Sequence, residues 1–403
     1  MKRERNQVGR PSLLRHTNAL TLLHLLRESG TCSRADLVRA SGLSAPTVTK
    51  IIADLIDANL IKPLGEGESS GGRPPNMLSF KADRGCILGV QITAHSVIFL
   101  LVDLSGISLE ITHHPLAGAR TTPEAICQKI GEEIRHLLAR HKKARKQLLA
   151  LVVAVPAITN VNEGTVVSIS TLENWRNVPL RSMLSNVVDC LVLVENDTNL
   201  GAAGERFKGA AHAEDDFVLI NIGANVSAGI LLNGHIHHGS QWSAGEIGYL
   251  RLPSISGKPP SLYEFGDLEY FLSPAGIRNS WHETAMHRKE VAPAADLAAS
   301  LHIFDKATSG DARALALLEE RAEIVSDIIV NLSLILNPAL ILLGGEIGSH
   351  PALLRSVQKH LDRCEFAVTR VAAAALGPEA VVWGAIAIGL DAIPLVLLPH
   401  PTA

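Results

Sequence analysis

At 403 residues, 47% of them hydrophobic and 19% charged with a net charge of −3, the chain is too long for one ordinary domain and too apolar to be disordered. Two or three domains are expected; no apolar run reaches ~18 residues, which argues against a membrane span, and the start, MKRERNQVGR, lacks the apolar stretch and cleavage site of a signal peptide. Cys32, Cys86, Cys127, Cys190 and Cys364 are scattered and form no C-x-x-C, which fits reduced thiols in a cytoplasmic protein better than a disulfide frame or a zinc site.

The charge is uneven along the chain. Residues 1–80 hold 11 Lys and Arg against 7 Asp and Glu, a surplus of +4, while the rest carries −7. A basic head on an acidic body points to a nucleic-acid contact confined to the N-terminus. Three helices are expected in that head. The first covers roughly 13–28, with Ala19, Leu22, Leu23 and Leu26 on one stripe and Gly30 as its stop. The second opens at Ser33, which has capping-box spacing to Asp36, and ends near Ala40. Ser41-Gly42-Leu43 then turns the chain, and Ser44 caps a third helix that tolerates Pro46 in its first turn and buries Val48, Ile51, Ile52, Leu55 and Ile56. Short strands near 60–62 and 77–80 flank the glycine-proline turn GESSGGRPPN.

Helix, helix, glycine turn, helix and hairpin is the order of a winged helix-turn-helix. The third helix carries small or polar residues at its N-terminal end and outer face: Ser44, Ala45, Pro46, Thr47, Thr49 and Lys50. Such residues let a helix lie close to base edges in a major groove with its N-terminus towards phosphate. Arg73, mounted between two glycines and two prolines, suits the narrow minor groove beside it. The competing reading, a helical hairpin for protein docking, does not account for turn, caps and wing occurring together.

Beyond Cys86 the pattern becomes β-rich. Strands are expected at 86–92, 96–102, 107–112 and 148–155, with a helix near 123–140. A comparable order follows, with strands at 191–195, 217–222, 227–232 and 340–343 and helices near 199–206, 311–336 and 352–363. The expected fold class is α/β: an N-terminal winged helix-turn-helix over 1–80, and a two-lobed body over 81–403 that resembles the duplicated ribonuclease-H-like (sugar kinase/actin-like) fold, with a ligand cleft between the lobes.

Several separate motifs make the resemblance specific. "SRADLVRASGLSAPTVTKIIADLIDANLI" and "GEGESSGGRPPNML" resemble the DNA-binding part of ROK-family transcriptional regulators. "AVPAITNVNEGTVV", "NWRNVPLRSML", "VENDTNLGAAGE", "NGHIHHGSQWSAGEIGYL" and "NPALILLGGEIG" resemble, in the same order, the family's sugar-kinase body. The likeness covers about residues 10–391. It implies a DNA-binding regulator, a repressor of carbohydrate genes, with a sugar or sugar derivative in the cleft. A homodimer or higher even assembly is expected because one winged helix covers few base pairs and a two-fold pair engages two half-sites, and no cofactor is expected.

The resemblance also implies which cleft residues act. Asn196 and Asp197 match the family's pair that bonds sugar hydroxyls, Asp197 being the base in a kinase. Glu246 and Glu269 match two sugar-contacting glutamates, and Tyr249 stands where the family's E-x-G-H motif has histidine. The bland alternative makes Asp197 a helix cap and both glutamates solvated loop residues. The family's D-x-G-x-T phosphate loop is Gln91-Ile92-Thr93-Ala94-His95 here, without a carboxylate to help hold a metal or a glycine for close approach to phosphate, and the second phosphate loop reads Gly223-Ala224-Asn225-Val226-Ser227-Ala228-Gly229. Residues 251–267 contain no cysteine, so the family's zinc site is expected to be lost. His235, His237 and His238 read as a surface histidine group rather than replacement ligands. Ala157 replaces a glycine, and a sugar-contacting asparagine is replaced near Thr171. The runner-up readings are an ATP-dependent sugar kinase, and a regulator with a vestigial cleft controlled by a protein partner.

Overall fold

The computed structural model describes residues 11–66, 76–141, 147–169, 172–255, 266–282, 294–365 and 369–397. Arg73 and Thr171 lie outside the described residues.

In the head, helix Pro11–Ser29 buries Ala19, Leu22, Leu23 and Leu26 on the expected stripe. Helix Arg34–Ser41 begins with the reciprocal bonds its sequence calls for: Ser33 Oγ accepts the Asp36 amide at 3.2 Å and the Asp36 carboxylate accepts the Ser33 amide at 2.9 Å. Gly42, at φ 68°, closes it, and Ser44 opens helix Ala45–Asp57. That third helix buries Val48, Ile51, Ile52 and Leu55, while Ile56 is only half-buried. Strands Ile61–Glu66 and Asn76–Phe80 pair antiparallel as the wing. A third strand, Thr31–Ser33, also pairs with Asn76–Phe80; it escapes a reading of the sequence because three residues ending in a helix cap carry no alternation.

The two lobes repeat one topology. The first sheet runs, in spatial order, Leu191–Asn196, Leu148–Val155, Cys86–Ile92, Ser96–Asp103 and Ser108–Pro115. Three strands form an antiparallel meander and two extend it in parallel. The second sheet, His235–Ile236, Val226–Leu232, Phe217–Ile222, Leu340–Gly344 and Arg370–Ala373, has the same order when read from its opposite edge, and the same strand senses. The interior strand Leu148–Val155 is buried along its whole length, as a strand covered on both faces must be. Chain order and pairing together give the duplicated ribonuclease-H-like body.

Two helices lie between the sheets. Asp197–Lys208 packs on the second-lobe sheet and Ala380–Asp391 on the first-lobe sheet, and the two pack against each other. Backbone meets backbone there: a Cβ on Gly384 would fall on the Leu200 carbonyl, and one on Gly204 on the Ala380 carbonyl. The head is not a loose appendage. Leu22, Leu26 and Leu60 share one hydrophobic cluster with Ile87, Leu100, Leu390 and Ile393 of the body. Arg27 donates to the Leu390 carbonyl at 3.1 Å, and His24 Nε2 lies 3.1 Å from Asp391 Oδ1. Among the described residues no helix is long and apolar enough to cross a membrane.

Candidate functional site

The DNA-facing candidates lie on one end of helix Ala45–Asp57. Ser44, Ala45, Pro46, Thr49 and Lys50 are exposed and Thr47 is half-buried. Ser44 Oγ accepts the Thr47 amide at 3.3 Å and sits 2.8 Å from Thr47 Oγ1, so both hydroxyls are bound up in the cap. Ala45, Pro46, Thr49 and Lys50 take no part in this cap. Arg15 pairs with Asp54 and holds the first helix against the third. The charge of that arginine is thereby spent inside the head.

In the body, strand Leu191–Asn196 ends where helix Asp197–Lys208 begins, and the site starts at that corner. Asn196 is the helix cap: its Oδ1 accepts the Asn199 amide at 3.1 Å and its Nδ2 donates to the Ala157 carbonyl at 3.2 Å. Asp197 is the first helical residue, so the alternative in which Asp197 caps the helix is wrong, and its carboxyl is spared that task. Burial pushes Asp197 up to about 6, against the backbone and side-chain bonds near Thr198 that favour its charge.

Glu246 enters the same corner from the second lobe. Gly245, at φ 88°, passes so close to the Ala228 carbonyl that no Cβ fits, and this tight passage delivers the next residue. Burial and then the charge of Asp197 push Glu246 up to about 7. Glu269, on helix Asp267–Leu272, is 9% exposed and accepts the Val226 amide at 3.3 Å. Burial first, and Glu246 among the lesser causes, push it up to about 7. Tyr249, in the turn Ile247–Tyr249, is raised to about 12 by burial, Glu269 and Glu246. The alternative in which both glutamates are solvated loop residues does not hold, since burial is the first cause of both displacements. The charge of Asp197 acts on Glu246, that of Glu246 on Glu269, and those of both glutamates on Tyr249, so the four groups gather at one corner.

Carboxyls poised between charged and neutral near pH 7 both accept and donate hydrogen bonds, which suits a neutral ligand rich in hydroxyls. A second set of contacts at the same corner has no signal in the sequence. Glu195, buried, accepts the Asn196 amide at 2.8 Å and Asn199 Nδ2 at 3.1 Å, and it meets His238 Nε2 of the second lobe at 2.7 Å. Thr198 Oγ1 meets Ser227 Oγ at 2.6 Å. Only the crossing of the two lobes makes neighbours of residues 43 positions apart.

The phosphate-side segments look different. Thr93 Oγ1 accepts the amides of His95 at 3.2 Å and Ser96 at 2.9 Å, closing the 91–96 turn on itself, and Gln91 Oε1 is buried without a partner. Among the described residues no group of three or more His, Cys, Asp or Glu is placed to hold a metal ion. His235 and His237 are exposed, and His238 is taken up by Glu195.

A winged-helix head seated on a two-lobed sugar-kinase-like body, with acidic groups gathered between the lobes, defines a class. The chain belongs to the ROK family, whose profile matches residues 87–392, and a MarR family profile matches residues 14–69. It is 27% identical over 352 residues to the xylose repressor of Bacillus spizizenii, covering 87% of this chain and 88% of that one. It is 30% identical over 253 residues to a glucokinase of Halalkalibacterium halodurans, covering 61% and 76%. Its fold matches a crystal structure of a ROK family transcriptional regulator, a homologue of the E. coli MLC protein, with a TM-score of 0.77 at 24% identity over 95% of this chain and 98% of that chain.

Proposed function

We propose that the chain is a DNA-binding transcriptional regulator, a repressor of carbohydrate-metabolism genes, whose hold on DNA is set by a sugar or sugar derivative in the interlobe cleft. The observation that carries this is the joining of two things in one molecule: a winged helix with an exposed, small-residue N-terminal end, and a buried acidic corner suited to hydroxyls. The similarity to a xylose repressor over 87% of the chain supports it. Residues 1–80 read DNA and 81–403 sense the ligand. The protein works in the cytoplasm as a homodimer or higher even assembly, because one winged helix covers few base pairs and a two-fold pair engages two half-sites. Ala45, Pro46, Thr49, Lys50 and Arg73 meet DNA, with Ser44 and Thr47 setting the helix end. Asn196, Asp197, Glu246, Tyr249 and Glu269 meet the sugar.

The test is operator binding at one fixed salt concentration, with and without D-xylose, D-glucose and N-acetylglucosamine. Release by one sugar is expected. Failure to bind the DNA upstream of its own gene or of the adjacent genes would overturn the first half, and indifference to every sugar the second.

The likeness to a glucokinase favours one other reading, an ATP-dependent sugar kinase. The 91–95 turn offers no carboxylate for a metal and is closed by Thr93, which tells against phosphoryl transfer. Sugar-dependent ADP release from a clean preparation, lost in Asp197→Asn, would establish that reading instead.

A further inference from the structure

His238 belongs to the second lobe, just past strand His235–Ile236, yet its ring bonds to Glu195 on the last strand of the first-lobe sheet. Glu195 is nearly enclosed, with 8% of its side chain exposed, and its other oxygen holds the Asn196 amide and Asn199 Nδ2. Asn196, so held, caps the helix that carries Asp197. Deleting the imidazole leaves a buried carboxylate oxygen without its cationic partner, a costly state that the lobes would relieve by parting.

We propose that His238 is a positioning residue of the cleft, an interlobe latch whose bond to Glu195 fixes the angle at which Asn196 and Asp197 face Glu246 and Glu269. The proposal rests on the cleft being the sugar site. It goes further by making lobe closure depend on the protonation of one histidine. The Glu195 hydrogen bond and charge raise His238 above its ordinary value, against burial. The closed state thus binds the proton more tightly than the open one. Its contribution is complete below the ordinary histidine value, ~6.5, and is lost as pH rises through the raised value. A ligand that selects the closed state therefore binds less well as pH rises. Other titratable groups border the corner: Asp197 on the adjoining helix turn, Glu246 on the returning loop, and His235 and His237 on the histidine's own segment. The two carboxyls ionise in overlapping ranges, so the histidine is isolated only by comparison with a variant that keeps the bond without the titration.

The experiment compares wild type, His238→Gln and His238→Ala by calorimetric binding of D-xylose, D-glucose and N-acetylglucosamine from about pH 5.5 to about 8.5. Wild-type affinity should fall with pH and the Gln variant should show a flatter profile. The Ala variant should bind about tenfold or more weakly at the acid end, the size expected for deleting a charge-assisted bond. A Gln profile that overlays wild type, or an Ala variant with unchanged affinity, would overturn the latch. Amide exchange of residues 195–199 without sugar provides the arm that does not depend on ligand. It should speed up in the Ala variant at the acid end, and equal rates would refute the latch. If no sugar binds wild type while this arm behaves as expected, the sugar assignment falls and the latch stands.

Discussion

Asp197 sits in the first turn of its helix, where the partial positive charge of the helix end favours a carboxylate by about 0.3–1 kcal/mol. Burial outweighs this and holds the group at about 6. Glu246 and Glu269, at about 7, are displaced the same way. Between the ordinary carboxyl range and these values the folded chain binds more protons than the unfolded one. Stability therefore falls as pH rises through that window. Asp197→Asn should remove part of this penalty, stabilising the ligand-free protein at about pH 8 on the order of 2 kcal/mol and flattening the pH dependence of urea unfolding. A variant no more stable than wild type, with the same pH slope, would mean the site does not strain this carboxyl. On the DNA side, Lys50→Ala and Arg73→Ala should each weaken operator binding and reduce its salt slope by about 1 for each phosphate no longer neutralised. Arg73→Ala should also relax any A·T preference in the flanks, and unchanged affinity in both would refute the docking geometry. The carboxylate positions are legible in the sequence because their neighbours, N-D and A-G-E-I-G, form recognisable motifs. The pairing of Glu195 with His238 is not, since nothing in the chain says that a buried strand end and a distant hairpin meet.

At the scale of elements, legibility follows amphipathicity. Helix Pro123–Arg140, with one buried stripe, and strand Leu148–Val155, apolar throughout and bounded, lie at the limits their sequences indicate. Helix Ala380–Asp391 is not legible in this way. Its sequence, AVVWGAIAIGLD, is apolar on nearly every side because it lies between the first-lobe sheet and a second helix, so no 3.6-residue stripe stands out. Helices Asp267–Leu272 and Pro274–His282 are short and follow one another closely, which leaves too few turns to show a period. The hidden helix Ala380–Asp391 is also the one on which the lobes bear. Its contact with Asp197–Lys208 is made by Gly204 and Gly384 pressed against carbonyls, with no space for a methyl group. Gly384→Ala should force the two helices apart and destabilise the protein by about 1–3 kcal/mol, the usual cost of overpacking. Since these helices join the lobes, the same variant should weaken sugar binding without touching a hydroxyl-binding group. A Gly384→Ala protein with wild-type urea midpoint and sugar affinity would show that the interlobe seam has slack.

For the molecule as a whole, the proposed function requires that a sugar release DNA through its different affinities for the DNA-competent and DNA-incompetent arrangements. The path between cleft and head can be followed residue by residue. Leu200 meets Gly384 and Gly204 meets Ala380, so the two helices run antiparallel where they touch. The end of Asp197–Lys208 that carries the site thus lies beside the half of Ala380–Asp391 that reaches the head. There Arg27, in the first helix of the head, donates to the Leu390 carbonyl, and His24 meets Asp391. A cation against the open carbonyls of a helix end is a directed contact, and Arg27 is largely enclosed, with burial lowering it to about 10. A change in lobe angle would be passed to the head as a rotation of this junction, and in a dimer the spacing of two winged heads would change with it. Half-site spacing is fixed by the DNA helix, so a small rotation suffices to cost affinity. Two classes of variant should separate the parts of this chain. Asp197→Ala and Glu246→Ala should bind operator like wild type in the absence of sugar and fail to respond to the inducing sugar. Arg27→Met should bind both operator and sugar, with the sugar's effect on operator affinity reduced about five-fold or more, the lower end of ordinary coupling energies. The measurement is operator affinity by fluorescence anisotropy at one salt concentration, with and without saturating sugar, beside calorimetric sugar affinity. Full induction in Arg27→Met would place the relay elsewhere, and loss of sugar-free operator binding in Asp197→Ala would mean that the cleft supports the head and does not sense for it.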